Sequence, residues 1–403
     1  MNELSWRLDI LMKSFDRNSN IYVSHFVGLR GVGGVQSNFV EYINYVVKFK
    51  LNYGLKHKVY TLGEVDKQYN LFINVLNIKK PRNFTSLILD IISKKTIVHF
   101  YNNLTSLKLT LLFSVLPVQK IVLHERGAIW NSMSSRGLFL RFVAWKSSLI
   151  IANSNATKVM LEKKFYIPCQ KIRVLHNGID ISKCNKKKLI NKPSSIFRVG
   201  FIGRLDSPKG VHVLIEAMHY LADYNIKLTI AGDGVLKDVL KKKAHGLDNV
   251  SFVGRIIDPY FFLNGLDLLV VPSIREPLGN VCLEAGLCKV PVLAANVDGL
   301  PEIIKDKISG ELIDPTKAIS CEIVSTSVSL PEFIVNPTTQ KLETPQQIDP
   351  LLLSSKIFEL YNSPDVLFEY GEQLHNRVIE YFNMERYAHD LRNIYFEVSG
   401  CSG

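Results

Sequence analysis

The fold is decided by the stretch Arg275-Glu276-Pro277-Leu278-Gly279-Asn280-Val281-Cys282-Leu283-Glu284-Ala285-Gly286. It lies between two apolar runs, so the local order is strand, loop, helix and strand. Pro277 and Gly279 favour a tight turn before a helix that opens at Gly279 and Asn280. The first amides of such a helix have no intrahelical acceptor and attract phosphate.

Two glutamates, Glu276 in the loop and Glu284 in the helix, give this stretch its chemistry. Eight residues at helical rise span at most about 12 Å, which is the scale of a nucleotide-sugar. A carboxylate near a phosphate is favourable only where it accepts hydrogen bonds, and sugar hydroxyls are suitable donors. A turn followed by a surface helix with two solvated glutamates would have the same local sequence, so the surrounding residues must decide.

The second half of the chain alternates apolar strands with helical segments. Strands are predicted at 198–205, 227–231, 250–253, 268–271 and 292–295. This alternation is typical of a parallel, doubly wound sheet. Arg204 and Lys209 follow the first of these strands, where they would either neutralise a diphosphate or be ordinary surface charges.

The first half has the same pattern. A strand at 21–27 leads into Gly28-Leu29-Arg30-Gly31-Val32-Gly33-Gly34 and an amphipathic helix. The glycines allow a ligand to approach the backbone, although the spacing is not that of a dinucleotide fingerprint. Further strands are predicted at 58–62, 96–100, 120–124, 148–152 and 171–175. The chain is therefore predicted to be an α/β protein with two Rossmann-like, doubly wound halves.

Two histidines, His99 and His124, fall at the carboxyl ends of apolar strands. Open parallel sheets bind their ligands at that edge. A histidine in this position is either functional or a satisfied structural residue, and the sequence leaves both interpretations open.

Domain boundaries follow from composition. The lysine-rich segment 182–195 is predicted to be a linker. It separates an N-terminal domain, residues 1–190, from a C-terminal domain, residues 195–370.

Three other segments carry predictions of their own. Residues 3–17 have the spacing of a short amphipathic helix, which would lie on a membrane, pack on its own domain or fray. Residues 317–349 show no period and are predicted to be a loop or small excursion. The tail, residues 367–398, has a helical pattern throughout.

Charge is distributed unevenly along the chain. Residues 1–190 hold 29 Lys and Arg against 10 Asp and Glu, a net charge of +19, whereas residues 191–403 have −7. The basic half suits an anionic membrane surface or a phosphorylated acceptor, unless the charge reflects only solubility and codon bias. We expect no nucleic-acid partner, because neither a reader helix nor an aromatic-rich strand motif is present.

Composition also bears on compartment and on metal binding. The chain of 403 residues has no apolar run of about 18 residues, and charges interrupt its first 20 residues. Its six cysteines include no Cys-x-x-Cys pair, which argues against a disulfide scaffold and a zinc site. We therefore expect a cytoplasmic protein, peripheral at the cytoplasmic face of the inner membrane if the basic half binds lipid.

Several motifs together resemble the family 4 glycosyltransferases. In the second half these are Gly203-Arg204-Leu205 with Lys209-Gly210, Ala231-Gly232-Asp233-Gly234, Val271-Pro272-Ser273, Glu276-x7-Glu284 and Gly299-Leu300-Pro301-Glu302. The first half matches more loosely, through Gly33-Gly34, His124 and Asn177-Gly178-Ile179-Asp180. The resemblance implies a GT-B fold, in which the two Rossmann-like domains face each other across a cleft. It also implies that a C-terminal helix, residues 371–399, crosses back onto the first domain.

The resemblance assigns a role to each matched site residue. Glu284 would hold ribose hydroxyls and Glu276 would contact the donor sugar. Arg204 and Lys209 would clamp the diphosphate, assisted by backbone amides of Leu278, Gly279 and Asn280. Gly33 and Gly34 would lie near the donor, and Gly34 and His124 would face it from the first domain.

The implied reaction is transfer of a sugar from a UDP-, GDP- or ADP-sugar with retention at the anomeric carbon. Negative charge that develops on the leaving phosphate would be stabilised by cations and amides, so no metal or other cofactor is expected. The catalytic group would be Glu276 or His124, with Arg204 and Lys209. The expected acceptor is a saccharide or lipid-linked saccharide of a bacterial surface polysaccharide or lipopolysaccharide.

Three alternatives to transfer are compatible with parts of the sequence. A nucleotide-sugar epimerase would share the fold but need no acceptor, and Glu276-x7-Glu284 favours transfer over it. A non-catalytic basic binding protein would use residues 1–190. An inactive relative kept as a partner subunit would lack donor residues, whereas here the full set is present.

Overall fold

The computed structural model describes residues 21–31, 33–51, 54–184, 196–319 and 330–400. The helix predicted over residues 3–17 lies outside these residues, and so does most of the linker predicted at 182–195.

Seven strands form the first sheet. They are β1 (Ile21–Phe26), β2 (Leu55–Thr61), β3 (Val75–Asn77), β4 (Thr96–Tyr101), β5 (Lys120–Glu125), β6 (Leu149–Ala152) and β7 (Ile172–Val174). Their order is β3-β2-β1-β4-β5-β6-β7, and the pairings from β3 to β5 are parallel. Every residue of β4 is buried, as expected for a parallel strand covered on both faces. The chain order reverses between β1 and β4.

Five α-helices of the described part of the chain connect these strands. They are α1 (Gly34–Lys48), α2 (Pro81–Ile92), α3 (Leu107–Val115), α4 (Gly137–Lys146) and α5 (Asn155–Phe165). Serine side chains cap two of them: Ser106 Oγ accepts from the Leu109 amide at 3.4 Å, and Ser154 Oγ accepts from the Thr157 amide at 3.0 Å. Such caps satisfy amides that the first turn leaves without partners.

A ring stack of histidine and tyrosine side chains lies in the core beside β1, β4 and β5. The rings of His99 and His124 stack with centroids 5.3 Å apart. The Nδ1 atoms of His25 and His99 lie 3.2 Å from Tyr101 Oη and 2.6 Å from Tyr395 Oη. Burial lowers the pKa of His25 well below its ordinary value. The stack therefore holds His25 uncharged at neutral pH.

Acid should destabilise this core. His57, whose Nδ1 lies 3.0 Å from His25 Nε2, has its pKa lowered from 6.5 to about 4 by burial. Between pH 6.5 and pH 4 the unfolded chain binds a proton on this histidine and the folded chain does not. The free energy of unfolding therefore falls as the pH drops from 6.5 to 4. The loss from His57 alone is about 3 kcal/mol. Urea unfolding at pH 7 and pH 5 should show it, and His57→Gln should reduce the difference. An equal pH dependence in the variant would contradict this assignment.

The second sheet has six strands. They are β8 (Phe197–Ile202), β9 (Ile226–Ala231), β10 (Val250–Gly254), β11 (Leu268–Val271), β12 (Val292–Ala295) and β13 (Glu311–Ile313). All are parallel, in the order β10-β9-β8-β11-β12-β13. The chain starts at β8, adds strands on one side and then returns to add β11 on the other. The prediction of two Rossmann-like sheets is confirmed.

Among the described residues, eight further α-helices pack around this sheet or follow it. They are α6 (Val211–His219), α7 (Lys237–Lys243), α8 (Pro259–Asn264), α9 (Asn280–Leu287), α10 (Leu300–Ile303), α11 (Pro350–Tyr361), α12 (Pro364–Tyr381) and α13 (Met384–Ser399). None of the described helices is long and apolar enough to cross a membrane. Helix α12 packs closely on α9, where Gly286 provides the space. A Cβ on Gly286 would lie 2.7 Å from Val378 Cγ2 and 2.8 Å from Leu374 Cγ.

The single helix predicted over residues 371–399 is instead two helices, α12 and α13. The chain between them pairs with Ile179, whose amide donates to the Phe382 carbonyl at 2.8 Å. The Met384 amide donates back to the Ile179 carbonyl at 2.9 Å, and Asn383 Oδ1 accepts from the Arg386 amide. The apolar period continues through this break, so the sequence pattern hides it.

The segment predicted as a loop or small excursion, 317–349, contains a hairpin within its described part. Strands β14 (Ile334–Val335) and β15 (Leu342–Glu343) pair antiparallel. Two-residue strands are too short to produce an alternating pattern, which is why the sequence did not predict them.

Contacts within the chain divide it into two units. Unit 1 comprises Met1–His124, Phe142–Ile151 and Tyr387–Gly403, and unit 2 comprises Glu125–Arg141 and Ala152–Arg386. The domain boundaries predicted at residues 1–190 and 195–370, and the cleft between those domains, remain predictions.

Candidate active site

The predicted donor residues of unit 2 follow two neighbouring strands, β8 and β11, and the Gly299-Leu300-Pro301-Glu302 motif follows β12. Because β8, β11 and β12 lie side by side and are parallel, their carboxyl ends share one edge of the sheet. The chain order reverses between β8 and β11. Ligands of open α/β sheets bind at such a reversal.

An ion pair joins the loops that follow β8 and β11. Lys209 Nζ lies 2.5 Å from Glu276 Oε2, and Ser273 Oγ donates to the same oxygen at 3.4 Å. The Glu276 side chain is only 12% exposed and that of Lys209 is 27% exposed. The structure thus brings together two of the predicted site residues. Removing either partner would leave a largely buried charge without its counterion.

Arg204 lies at the exposed margin of this site. Its side chain is 61% exposed, and its Nε atom lies 3.8 Å from Asp206 Oδ2. Asp206 is buried, and its Oδ1 atom has no hydrogen-bond partner among the described residues. Burial raises the pKa of Asp206, while Lys209 and Arg204 oppose the shift. The sequence pattern does not mark Asp206 as a site residue.

The start of α9 has the geometry that the sequence predicted for it. Gly279 has φ 101°, and a Cβ there would lie 2.7 Å from Leu300 Cδ2, so both conformation and space require glycine. The amides of Leu278, Gly279 and Asn280 come at the helix start, where intrahelical acceptors are missing. Asn280 Oδ1 accepts from Asn177 Nδ2 at 2.7 Å, which ties the helix start to the Asn177-Gly178 motif.

Glu284 lies in the second turn of α9 and is half-buried. The predicted contact of this carboxylate with ribose hydroxyls is untested and remains a prediction.

Asp298 holds the Glu276 loop in place, a role that the sequence analysis missed. Its Oδ2 accepts from the Glu276 amide at 3.0 Å, and its Oδ1 accepts from the Val335 amide of the hairpin at 2.7 Å. Asp298 is buried and has φ 48°, in the left-handed region. Burial raises its pKa to about 7, against the effect of the two amides and of Arg275. The signal was its position directly before Gly299-Leu300-Pro301-Glu302.

The segment after β5 also holds the Glu276 loop in place. Arg275 donates from Nη1 to Asn131 Oδ1 at 2.8 Å, and the same atom lies 3.5 Å from the Gly127 carbonyl oxygen. A Cβ on Gly127 would lie 2.7 Å from Pro277 Cγ, so glycine leaves room for the proline ring. Gly127 is in turn fixed by Glu125, whose Oε1 accepts from its amide.

Glu302, the last residue of the glycine-proline motif, caps helix α5. Its carboxylate accepts from the amides of Asn155 and Ala156 at 2.8 and 3.0 Å. It also lies 2.6 Å from His176 Nε2. A carboxylate at a helix N-terminus is favoured by the helix dipole. The motif therefore has a structural role beside any role in binding.

The other predicted site residues lie in unit 1. Gly33 and Gly34 are the N-cap and first residue of α1. His124 is the penultimate residue of β5, lies in the ring stack and is 1% exposed. The catalytic role predicted for His124 remains a prediction, as do the roles predicted for Gly33 and Gly34.

These sheets and their strand orders define the fold as GT-B, built from two Rossmann-like sheets. The crystal structure of Anabaena HepE in complex with UDP has the same fold. It superposes with a TM-score of 0.71 at 16% identity, covering 94% of this chain and all of that one.

Sequence comparison finds similarity to one family over part of the chain. Residues 183–324 match the family model "Glycosyl transferases group 1", which confirms the predicted resemblance over that segment. An uncharacterized glycosyltransferase of Methanocaldococcus jannaschii is 32% identical over 219 residues, which is 48% of this chain and 54% of the relative. The capsular polysaccharide biosynthesis glycosyltransferase CapM of Staphylococcus aureus is 29% identical over 41% of this chain and 48% of its own length. The chain thus spans about half the length of these relatives.

Proposed function

We propose that this chain is a retaining glycosyltransferase that moves a sugar from a nucleoside diphosphate donor to a saccharide or lipid-linked saccharide. The observation that carries the proposal is the Lys209–Glu276 ion pair at the reversal point of a doubly wound sheet. It places a cation for the diphosphate beside a carboxylate for sugar hydroxyls. The group 1 family match and the UDP complex of HepE support a nucleotide-sugar as donor.

The proposed chemistry is electrostatic. As the bond between the anomeric carbon and the diphosphate breaks, negative charge grows on the leaving phosphate oxygen. Lys209, Arg204 and the amides of Leu278, Gly279 and Asn280 would stabilise that charge. These amide hydrogen-bond donors are fixed before the reaction, because α9 and its glycine cap hold them in place. We propose that this set of residues works without a metal.

Glu276 would accept hydrogen bonds from the donor sugar, and Glu284 would accept them from ribose hydroxyls. A sugar hydroxyl bonded to Glu276 and a phosphate oxygen bonded to Lys209 would together replace the Lys209–Glu276 ion pair. The acceptor hydroxyl would attack from the face that the leaving group vacates. The product would then keep the anomeric configuration of the donor.

For the acceptor we propose a precursor of a bacterial surface polysaccharide or lipopolysaccharide. The name of CapM, which refers to capsular polysaccharide biosynthesis, supports the first of these. The excess of basic residues in residues 1–190 supports an acceptor carried on an anionic lipid surface.

Donor binding can be tested directly by thermal shift with UDP-, GDP- and ADP-sugars. A ligand at a hundred times its Kd adds about 2.7 kcal/mol to stability, so one nucleotide should raise the Tm by several degrees. Glu284→Ala should abolish that rise because it removes the proposed ribose contact. Glu359→Ala, an exposed glutamate of the same unit, should retain it. A rise of equal size in Glu284→Ala would contradict the assignment of Glu284.

A second measurement separates transfer from epimerisation. Nucleotide release and the donor sugar are followed with and without a saccharide acceptor. A transferase forms a glycosidic product of retained configuration, whereas an epimerase changes the sugar without an acceptor. Epimerised sugar with no acceptor product would overturn the proposed function.

A further inference from the structure

The segment 317–349 supplies no side chain to the proposed donor contacts, yet its described part forms one wall of a cavity. The cavity has a volume of about 330 Å³, which is within the range of about 300–1,000 Å³ for small-molecule sites. Its opposite wall is the chain directly after β12 and β13, where Asn296 and Asp314 lie. Because parallel strands of one sheet end at the same edge, the cavity lies at the carboxyl edge that also holds Lys209 and Glu276.

Hydrogen bonds within unit 2 hold the hairpin wall of this cavity in place. The Val335 amide donates to Asp298 Oδ1 at 2.7 Å, and the Asp298 amide donates to the Val335 carbonyl at 3.1 Å. In the turn between β14 and β15, the Gln340 carbonyl accepts from Lys163 Nζ of α5 at 2.6 Å. A cavity whose walls are fixed in this way loses little conformational freedom on binding, which favours affinity.

The cavity is lined by polar groups without a positive charge. The segment 317–349 provides the hydroxyls of Thr338 and Thr344 and the amide of Gln346. The carboxylates of Asp314 and Glu343 line the same space. Hydroxyls and amides both donate and accept hydrogen bonds, and carboxylates accept them. A ligand with many neutral hydroxyls, such as a saccharide, matches this set because each of its hydroxyls also donates and accepts.

Apolar side chains complete the lining. Pro315 and Pro337 belong to the two walls, and the buried residues Val297 and Ile334 also contribute. A sugar ring has apolar C–H faces as well as hydroxyls at its edge. Apolar contacts combined with a few polar groups that fix orientation are typical of small-molecule sites. The mixed lining therefore suits a sugar ring.

Ions fit this cavity less well. None of the described lining residues is lysine or arginine, so an anion would meet two carboxylates without a counterion. The part of the chain that the structure describes holds no group of three or more His, Cys, Asp or Glu side chains arranged for a metal. Asp314 Oδ1 accepts from Asn296 Nδ2 at 2.7 Å, which already uses one oxygen of the carboxylate.

We propose that this cavity is a second carbohydrate site, which binds one neutral saccharide unit apart from the donor contacts of Glu276 and Glu284. The hydroxyls of this unit bond to Thr338, Thr344 and Asp314, and its C–H face packs on the prolines. The inference deepens the proposed function and rests on it for one point, that the saccharide belongs to the acceptor. The binding itself rests on the cavity, so the two proposals can fail separately.

A ligand-observed NMR titration of the full chain tests the binding. The probes are the methyl glycosides of glucose, galactose, mannose and N-acetylglucosamine, with methyl glucuronide as an anionic comparison. We expect at least one neutral glycoside to bind, and methyl glucuronide to bind more weakly. The double variant Thr338→Val/Thr344→Val removes two hydroxyls at nearly constant volume and should weaken binding of the neutral glycoside by at least about tenfold. Thr316→Val changes an exposed threonine outside the lining and should bind as the unchanged chain does.

A change of charge gives an independent reading. Gln346→Lys places a cation in the cavity and should reverse the preference, so that methyl glucuronide binds more tightly than the neutral glycoside. An unchanged preference in this variant would overturn the proposal. The same conclusion would follow if no neutral glycoside bound, or if the double variant bound as tightly as Thr316→Val. Binding that EDTA abolishes would indicate a metal site and would also overturn it.

A transfer assay separates an acceptor unit from a saccharide that is bound for another purpose. Oligosaccharides that contain the tightest-binding unit serve as acceptors. The double variant should raise the KM for that acceptor by about tenfold, while kcat and the KM for donor stay within about twofold. An unchanged acceptor KM, or no transfer to any such oligosaccharide while donor binding persists, would overturn the acceptor assignment. Absence of donor binding by the unchanged chain would instead overturn the proposed function and leave the saccharide titration valid.

Discussion

Replacing Glu276 with glutamine should lower kcat for sugar transfer by about 10²–10³-fold. Glutamine keeps the shape of the side chain, and the backbone amide of residue 276 can still donate to Asp298. What is lost is the negative charge 2.5 Å from Lys209 Nζ, which we propose binds the donor sugar and orients the lysine. Initial-rate kinetics with donor in excess would measure the effect. Chemical denaturation should show a loss of stability as well, because Lys209 loses its counterion, so the rate is measured where the variant remains folded.

Lys209→Met should lower kcat by a similar factor, because the donor phosphate loses its buried cation. Glu276 and Lys209 act as one unit, so the double variant should be little worse than the worse single variant. This non-additivity separates a shared catalytic role from two independent losses of stability.

The chain offers a matched control for this cycle. Lys289 and Glu372 also form an ion pair, with Nζ and Oε2 2.8 Å apart, but both side chains are more exposed. Lys289→Met and Glu372→Gln make the same changes of charge in the same unit. They should leave the transfer rate within about twofold, since exposed pairs contribute little. The pair would have no special part in transfer if the Lys289–Glu372 variants lost as much kcat as the Lys209–Glu276 variants. The same would follow if the losses of kcat at Lys209 and Glu276 were additive.

The sequence predicted those parts of unit 2 that repeat along the chain. Alternating strands and helices specify a doubly wound sheet, and such a sheet brings the residues after β8 and β11 to one edge. Lys209 and Glu276 could be placed together for this reason, although they are 67 residues apart. The turn at Gly279 could be predicted because few residues other than glycine adopt a φ of 101°.

What the sequence did not reveal depends on tertiary contacts without periodicity. Asp298 lies in a loop before glycine, where aspartate is common for reasons of turn formation alone. Its partners, the amides of Glu276 and Val335, are 22 and 37 residues away and belong to any residue type. The break between α12 and α13 was hidden for a similar reason, since it is fixed by backbone pairing with Ile179.

Asp298→Ala should have the largest effect on stability among these variants. The change leaves two buried amides, of Glu276 and Val335, without their acceptors. Each orphaned donor costs about 1–3 kcal/mol, so the expected loss is about 2–6 kcal/mol. Asp298→Asn retains one acceptor oxygen and should lose about half as much. Because Asp298 fixes the backbone of Glu276, the asparagine variant should also lower kcat more than it raises the KM for donor.

The pH dependence of stability identifies the carboxyl responsible. The folded pKa of Asp298 is raised from 3.8 to about 7, so between these values the folded chain binds a proton that the unfolded chain has released. Asp298 therefore contributes most to the free energy of unfolding at low pH. This contribution falls as the pH rises from 4 to 7, by up to about 4 kcal/mol. The free energy of unfolding of the unchanged chain, relative to that of Asp298→Asn, should accordingly be higher at pH 5 than at pH 7. A constant difference between the two chains would show that Asp298 does not titrate in this range, and an unchanged kcat in Asp298→Asn would remove its proposed part in positioning Glu276.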